Sequence, residues 1–102
     1  MDWLMNVLER FTHPTRGLVL SGVNPSLDAL CDDEIRKLIG RHVKIQHRDG
    51  TERTASVEAV DVARSLLGKV NIHIALGSNF GESDVELGAT VLALHEDDGR
   101  GA

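Results

Sequence analysis

The stretch Val70-Asn71-Ile72-His73-Ile74-Ala75-Leu76-Gly77 decides the fold. Val70, Ile72, Ile74 and Leu76 alternate strictly with Asn71, His73 and Ala75, a period of two that sets the four aliphatics on one face of a strand. It is the clearest core strand in the chain. Its aliphatics are expected to point inward, with Val19, Val43, Ile45, Val57 and Val91 among their neighbours. Upstream, His42 to His47 reads as a strand, Asp49-Gly50 as a hairpin turn, and Thr51 to Val60 as the returning strand. Val57 and Ala59 share one face there, while Glu58, Val60 and Val62 share the other, so both faces carry apolar residues. Leu18 to Val23 is a further strand. Downstream, Gly77 to Asp84 is a polar loop, Gly88 turns the chain, and Thr90 to Leu94 is the last strand.

Between Asn24 and Gly40 the period changes. Asn24-Pro25-Ser26 breaks the preceding strand. Leu27, Leu30, Cys31, Ile35, Leu38 and Ile39 then recur at steps of three and four, which marks one face of a helix. Ser26 or Asp32 is the expected cap. Asp32, Asp33 and Glu34 suit a helix N-terminus, and Gly40 ends it. Met1 to Phe11 fits two templates: Trp3, Leu4, Val7, Leu8 and Phe11 make a helical stripe, while Trp3, Met5, Val7 and Phe11 make a strand face. His13-Pro14-Thr15 reads as a turn, since proline cannot donate to a sheet ladder. Residues 1–96 are expected to form one domain with an inserted helical segment at 26–39, and 97–102 a flexible tail.

A chain of 102 residues is long enough to bury roughly 65% of its unfolded surface in one domain. Its apolar stock is Val, Leu and Ile with one Trp, two Phe and no Tyr, which suits half-buried strands. The formal charge of −5 gives no global positive field for nucleic acid, and so few aromatics leave little to stack unpaired bases on. With Cys31 the only cysteine, an internal disulfide and a Cys-based zinc site are excluded. The lone thiol favours a reducing compartment. No apolar run reaches the ~20 residues of a membrane helix, and no basic region precedes an apolar one as in a signal peptide, so a cytoplasmic location is expected.

Candidate chemistry is sparse. His42 and His47 are an odd number of residues apart on a strand and face opposite sides, and His13, His73 and His95 are isolated, so no metal site is expected. Cys31 falls on the apolar face of the predicted helix and reads as a buried structural thiol rather than a nucleophile. Gly77-Ser78-Asn79-Phe80-Gly81 matches neither phosphate-binding glycine pattern, and Gly68-Lys69 lacks the earlier glycine of a P-loop. Neither a cofactor nor nucleotide hydrolysis by this chain alone is expected. A basic cluster comprises Arg41, His42, Lys44, His47, Arg48 and Arg53. Lys44, Arg48 and His42 are expected on one strand face with Arg53 across the Asp49-Gly50 turn. Such a run is either a patch for an anionic partner or an ordinary solvated hairpin.

Five stretches carry a resemblance: Arg16-Gly17-Leu18-Val19-Leu20-Ser21-Gly22, Gly40-Arg41-His42-Val43-Lys44-Ile45, Thr54-Ala55-Ser56-Val57-Glu58-Ala59-Val60, Ile72 to Gly77, and Asp84 to Ala93. In this order they resemble the second domain of translational GTPases, and most closely that of elongation factor Tu, here standing alone. The resemblance implies an all-β fold: a small closed antiparallel β-barrel of about six or seven strands with one short inserted helix. It implies that residues 1–11 form a strand, because the family has one there ending in a Phe five residues before an Arg-Gly pair, the spacing of Phe11 and Arg16. It also makes Val62 to Gly68 an irregular connection with Leu66-Leu67 in place of a similar double leucine. The inserted segment 26–39 replaces a tight connection and is where the chain departs most.

In elongation factor Tu this domain holds the aminoacylated end of transfer RNA. Setting Phe11 on the family's Phe puts Leu8 and Glu9 on an acidic pair, and the strand ending at Gly77 puts Val70 on an Asn. Only Glu9 keeps its chemistry. Sites that lose hydrogen-bonding groups to aliphatics bind such a ligand poorly. The expected function is therefore a non-catalytic binding module for a protein partner, translation-related or immunity- or antitoxin-like. Its expected binding residues are Glu9, Arg16, Lys44, Arg48, Arg53, Asp32, Asp33 and Glu34. The alternative is an RNA-binding accessory factor using the basic hairpin at 41–53.

Overall fold

The computed structural model describes residues 3–94. These make one α-helix, α1 (Asp32–Ile39), and eight strands, β1 (Trp3–Asn6), β2 (Glu9–His13), β3 (Gly17–Val23), β4 (His42–Gln46), β5 (Glu52–Ser56), β6 (Ala59–Arg64), β7 (Val70–Gly77) and β8 (Thr90–Ala93). They form two four-stranded antiparallel sheets, ordered β1-β8-β4-β5 and β2-β3-β7-β6. Neither sheet closes into a barrel. The expected tail at 97–102 and the domain edges at residues 1–2 and 95–96 lie outside the described residues.

Two stretches carry the chain from one sheet to the other without a turn. At Val7 and Leu8, the Val7 amide donates to the Ala89 carbonyl beside β8, and the Leu8 amide to Ser21 of β3, each at 2.8 Å. At Val57 and Glu58, the two amides donate to Arg41 and Ala75, again at 2.8 Å. The second corner accounts for one parity that the alternation left ambiguous, and a ladder slip for another. Val57, Val60 and Val62 all pack against the core, although 57 and 60 are an odd step apart, because the strand changes sheet between them. In β1, Leu4 and Met5 are both buried while Trp3 is exposed, because the β1–β8 ladder slips between Trp3 and Met5. The helical template for residues 3–11 is thus not realised.

Val70, Ile72, Ile74 and Leu76 are buried as the alternation requires, and they share the core with Val43, Ile45 and Val91. Val19 is a correction. It stands on the opposite face of β3 from the core residues Leu18 and Leu20 and lies outside the core cluster. The β3–β7 seam needs Gly17, whose φ is +75° and whose place would set any Cβ 2.2 Å from the Gly77 carbonyl. Another correction falls at 62–68: β6 runs on to Arg64 in register with Val70, and the link is a tight hairpin, not an irregular connection.

Every ladder is antiparallel, so the connections alternate between two ends of the molecule. Residues 14–16, 47–51 and 78–89 lie at one end; the insertion 24–41 and the hairpin 65–69 lie at the other. In the insertion, a 3-10 turn at Pro25–Leu27 precedes α1. Neither Ser26 nor Asp32 caps α1. Cys31 is its N-cap residue, with its amide donating to the Glu34 carboxylate at 3.1 Å. Buried Asn24 caps the 3-10 turn instead, accepting from the Ser26 amide at 3.0 Å and donating to the Trp3 carbonyl at 3.2 Å. Leu27, Ile35 and Ile39 sink into the core, and Leu30 and Leu38 lean on it half-buried. Cys31 is exposed rather than buried, because the helix begins one residue after it.

Candidate functional site

The outer face of the second sheet, away from the core, carries two rows of side chains set by the ladder registers. One row reads Glu9, Ser21, His73 and Asp61 across β2, β3, β7 and β6; its neighbour reads Phe11, Val19, Ala75 and Ala59. Cross-strand partners of this kind have Cβ atoms about 4.5–5.5 Å apart, so each row is a continuous strip. A depression of about 410 Å³ opens between them, lined by Phe11, His13, Arg16, Val19, Asp61 and His73. Arg16 closes one side by pairing with Asp61 at 2.5 Å. Phe11 remains 42% exposed on the rim, and Leu8, at the corner before β2, is 57% exposed. Half-buried His13 is oriented by its own turn, since its Nδ1 accepts from the Thr15 amide at 3.1 Å and the Arg16 amide at 3.3 Å. With Nδ1 accepting, a neutral ring carries its proton on Nε2, which makes no hydrogen bond among the described residues.

Ser21, His73 and Asp61 stand in the order of a nucleophile, base and orienting acid. Ser21, however, is only 6% exposed, and the Asp61 carboxylate is taken by Arg16. Among the described residues no hydrogen bond joins Ser21 to His73 or His73 to Asp61, the contacts such a triad works through. What this face offers is the exposed ring of Phe11, with Val19 and Ala75 of its row buried, beside a charged row. A larger cleft of about 540 Å³ lies round the edge, between the Pro14–Arg16 turn, Glu58 and the 77–81 loop.

The structure disperses the basic hairpin. Lys44 points away from the core and meets Glu52 at 3.5 Å. Arg53 stands on the opposite face, in register with buried Ile45, where its guanidinium meets Asp84 at 3.1 Å and lies 4.9 Å from the Phe80 ring centre. Arg48 belongs to the turn, where its amide donates to Glu86 at 3.0 Å and its guanidinium is 3.9 Å from the same carboxylate. The shared face expected for Lys44, Arg48 and His42 is corrected at Arg48, which lies in the turn beyond β4. Arg53, across that turn, points to the opposite face from Lys44 because one residue separates their parities, and Lys44, Arg48 and Arg53 each face their own acid. Asp84 is held below its ordinary carboxylate range by the Gly81 amide first and Arg53 second.

Glu9 and Arg16 share the second sheet's outer surface, whereas Asp32, Asp33 and Glu34 form the exposed first turn of α1. The Cys31 amide holds the Glu34 carboxyl below its usual range. Asp32 pairs with Arg64 of β6 at 3.2 Å, and Arg64 also donates to the carbonyls of Asp28 and Leu30. Val70, aligned above with an RNA-contacting amide, is 1% exposed, its amide donating to the Asp28 carboxylate at 2.9 Å. Sequence reasoning passed over Phe11, His73 and Asp61 as surface residues. The alternation that hides apolar residues on one face of β7 places His73 on the other, and that was the available signal.

Among the described residues no helix is long and apolar enough to cross a membrane. Comparison with protein-family models, with curated proteins and with solved structures gives no match for this chain.

Proposed function

We propose that the chain is a non-catalytic binding module that recognises a protein partner through the outer face of its second sheet. The observation that carries this is Phe11, 42% exposed at the end of the row Phe11-Val19-Ala75-Ala59, beside the exposed Arg16–Asp61 ion pair. A part-exposed aromatic flanked by an ion pair is the composition of an interface anchor with a polar rim. A partner from the translation apparatus, or a target neutralised as by an immunity protein or antitoxin, fits a small acidic module of this kind. An exposed single thiol, Cys31, suits a reducing cytoplasmic setting.

The scaffold we read as a small closed barrel of the translation-factor second-domain type. In support, each bent run can be counted as one strand. The order then passes from 3–13 through β3, β7, 52–64, β4 and β8 and returns to 3–13, a cyclic connectivity.

Immobilised wild-type chain and a Phe11→Asp variant with the same melting temperature provide the test. Recovery of one protein by the wild type, with at least a tenfold loss for the variant, supports the reading. Tight transfer RNA binding that weakens with salt and is lost in Lys44→Glu with Arg48→Glu would replace it with the RNA-binding alternative.

A further inference from the structure

The cleft of about 540 Å³ round the edge of the sheet from Phe11 has a floor shaped by missing side chains. Gly17 and Gly77 meet there with φ of +75° and +81°. A Cβ on Gly17 would lie 2.6 Å from the Ser78 nitrogen, and one on Gly77 would lie 3.0 Å from Cγ and Oε1 of Glu58. The Glu58 side chain thus rests on the bare backbone of Gly77, in the room a side chain there would take. Its amide donates to the Ala75 carbonyl at 2.8 Å, which fixes where it leaves the backbone. Pro14 and half-buried Phe80 give the cleft apolar walls.

Three titratable side chains line the cleft: His13, Arg16 and Glu58. Arg16 is already paired with Asp61 at 2.5 Å, and His13 accepts two amides of its own turn through Nδ1. Glu58 makes no ion pair among the described residues. Beyond the rim stand Glu82, whose carboxylate accepts from the Thr12 hydroxyl, and Arg10, whose Nε donates to the Glu82 carbonyl. Those two charges offset each other. The cleft is left with one uncompensated carboxylate, on a chain whose formal charge is −5.

We infer that this cleft takes an arginine side chain of the protein partner, its guanidinium forking onto the Glu58 carboxylate over the Gly17–Gly77 floor and its stem against Phe80. A planar guanidinium suits a flat backbone floor and a carboxylate without a partner, whereas an ammonium is a compact, strongly hydrated point charge. His13 and Arg16 line both this cleft and the Phe11 hollow, so a segment that covers Phe11 reaches the cleft across their turn. The assignment rests on the reading that the partner is a protein, and it gives that partner a basic residue beside the group that meets Phe11. The acidic chain steers such a partner inward.

The test is a titration of the isotope-labelled chain with Nα-acetyl-arginine N-methylamide, followed by NMR. Amides of Ala59, Ser78 and Gly81 should shift and saturate with a Kd of about 1–10 mM. Glu58→Gln, an exposed change of the same shape, should weaken binding about fivefold. The citrulline counterpart of the probe, which keeps the shape without the charge, should bind the wild type as weakly. Phe11→Asp should leave the probe's Kd unchanged, since Phe11 does not line the cleft. No saturation by about 50 mM overturns the inference. So does equal binding by Glu58→Gln or by the citrulline probe, and so do equal shifts around exposed Asp33, which mark only a general attraction to acids. Capture of a protein by the immobilised chain separates this inference from the reading it rests on. Capture lost in Phe11→Asp and weakened about fivefold in Glu58→Gln supports both. Capture lost in Phe11→Asp but intact in Glu58→Gln keeps the Phe11 reading and overturns the arginine cleft. Glu58-dependent binding of the probe by a chain that captures no protein supports the guanidinium site and removes the Phe11 reading.

Discussion

The β3–β7 seam and the insertion end are held together by different means. Along the seam, backbone ladders and buried Leu18, Leu20, Ile72 and Ile74 supply the cohesion, and Gly17 removes the one side chain that would keep the strands apart. At the insertion end, single polar side chains tie distant backbone: Asn24 holds Trp3 and Ser26, Asp28 holds Val70, and Arg64 holds Asp28 and Leu30. Apolar contact is collective and tolerates small shifts, whereas a tether depends on one atom in one place. The seam should therefore fail as a whole and the insertion end piece by piece.

The largest effect is expected at the seam. Ile74→Ala, at a fully buried position, should cost about 2–5 kcal/mol in a denaturant titration, because the surrounding sheets close only partly over the cavity. An unchanged midpoint would mean that cohesion does not reside there. Asn24→Ala should cost less, about 1–3 kcal/mol, by leaving the Ser26 amide and Trp3 carbonyl without their partner. Hydrogen exchange would sharpen the contrast: in the Asn24 variant, amides of 24–31 should exchange faster while those of β7 keep their protection. Equal loosening of both regions would erase the distinction.

The smallest effect concerns acid. Glu34, Asp49 and Asp84 are all held below their ordinary values of 4.5, 3.8 and 3.8, by the Cys31 amide, the Thr51 hydroxyl and the Gly81 amide in turn. Folded pKa values below the unfolded ones mean that the stabilisation is complete above the ordinary carboxylate range. It is lost as pH falls through and below that range. The melting temperature should hold steady from neutrality to about pH 5 and decline beneath it. Glu34→Gln should shallow that decline at the insertion end, and a decline unchanged by the substitution would remove Glu34 from the account.

This division also governs what could be read from the chain beforehand. The alternation in β7 names its buried residues outright, since a half-buried strand writes its two faces at period two. The switch of period at Leu27 likewise announces α1. Val57 to Val62 shows apolar residues on both faces, which records a corner without revealing that the strand changes sheets there. The tethers left no local trace. Nothing near Arg64 indicates that its partners lie at 28–32, and the charges around 41–53 could be read as one patch because the acids of Arg53 and Arg48 sit far along the chain at 84 and 86. Of the candidate site, Glu9 and Arg16 were legible; the row that joins Phe11 to Val19 exists only once four strands are in register.

The place of β8 in the first sheet bears on the order in which the molecule can be made. β8 lies between β1 and β4 and pairs with both. In the second sheet, by contrast, β2 with β3 and β6 with β7 are hairpins between chain neighbours. As the polypeptide grows, those hairpins can form soon after their residues emerge. β1 must wait for residues 90–93, with Leu4, Met5 and Val7 still uncovered. A nascent chain stalled before Thr90 is therefore a half-sheet with an open edge, the species on which chaperones act and from which aggregates start.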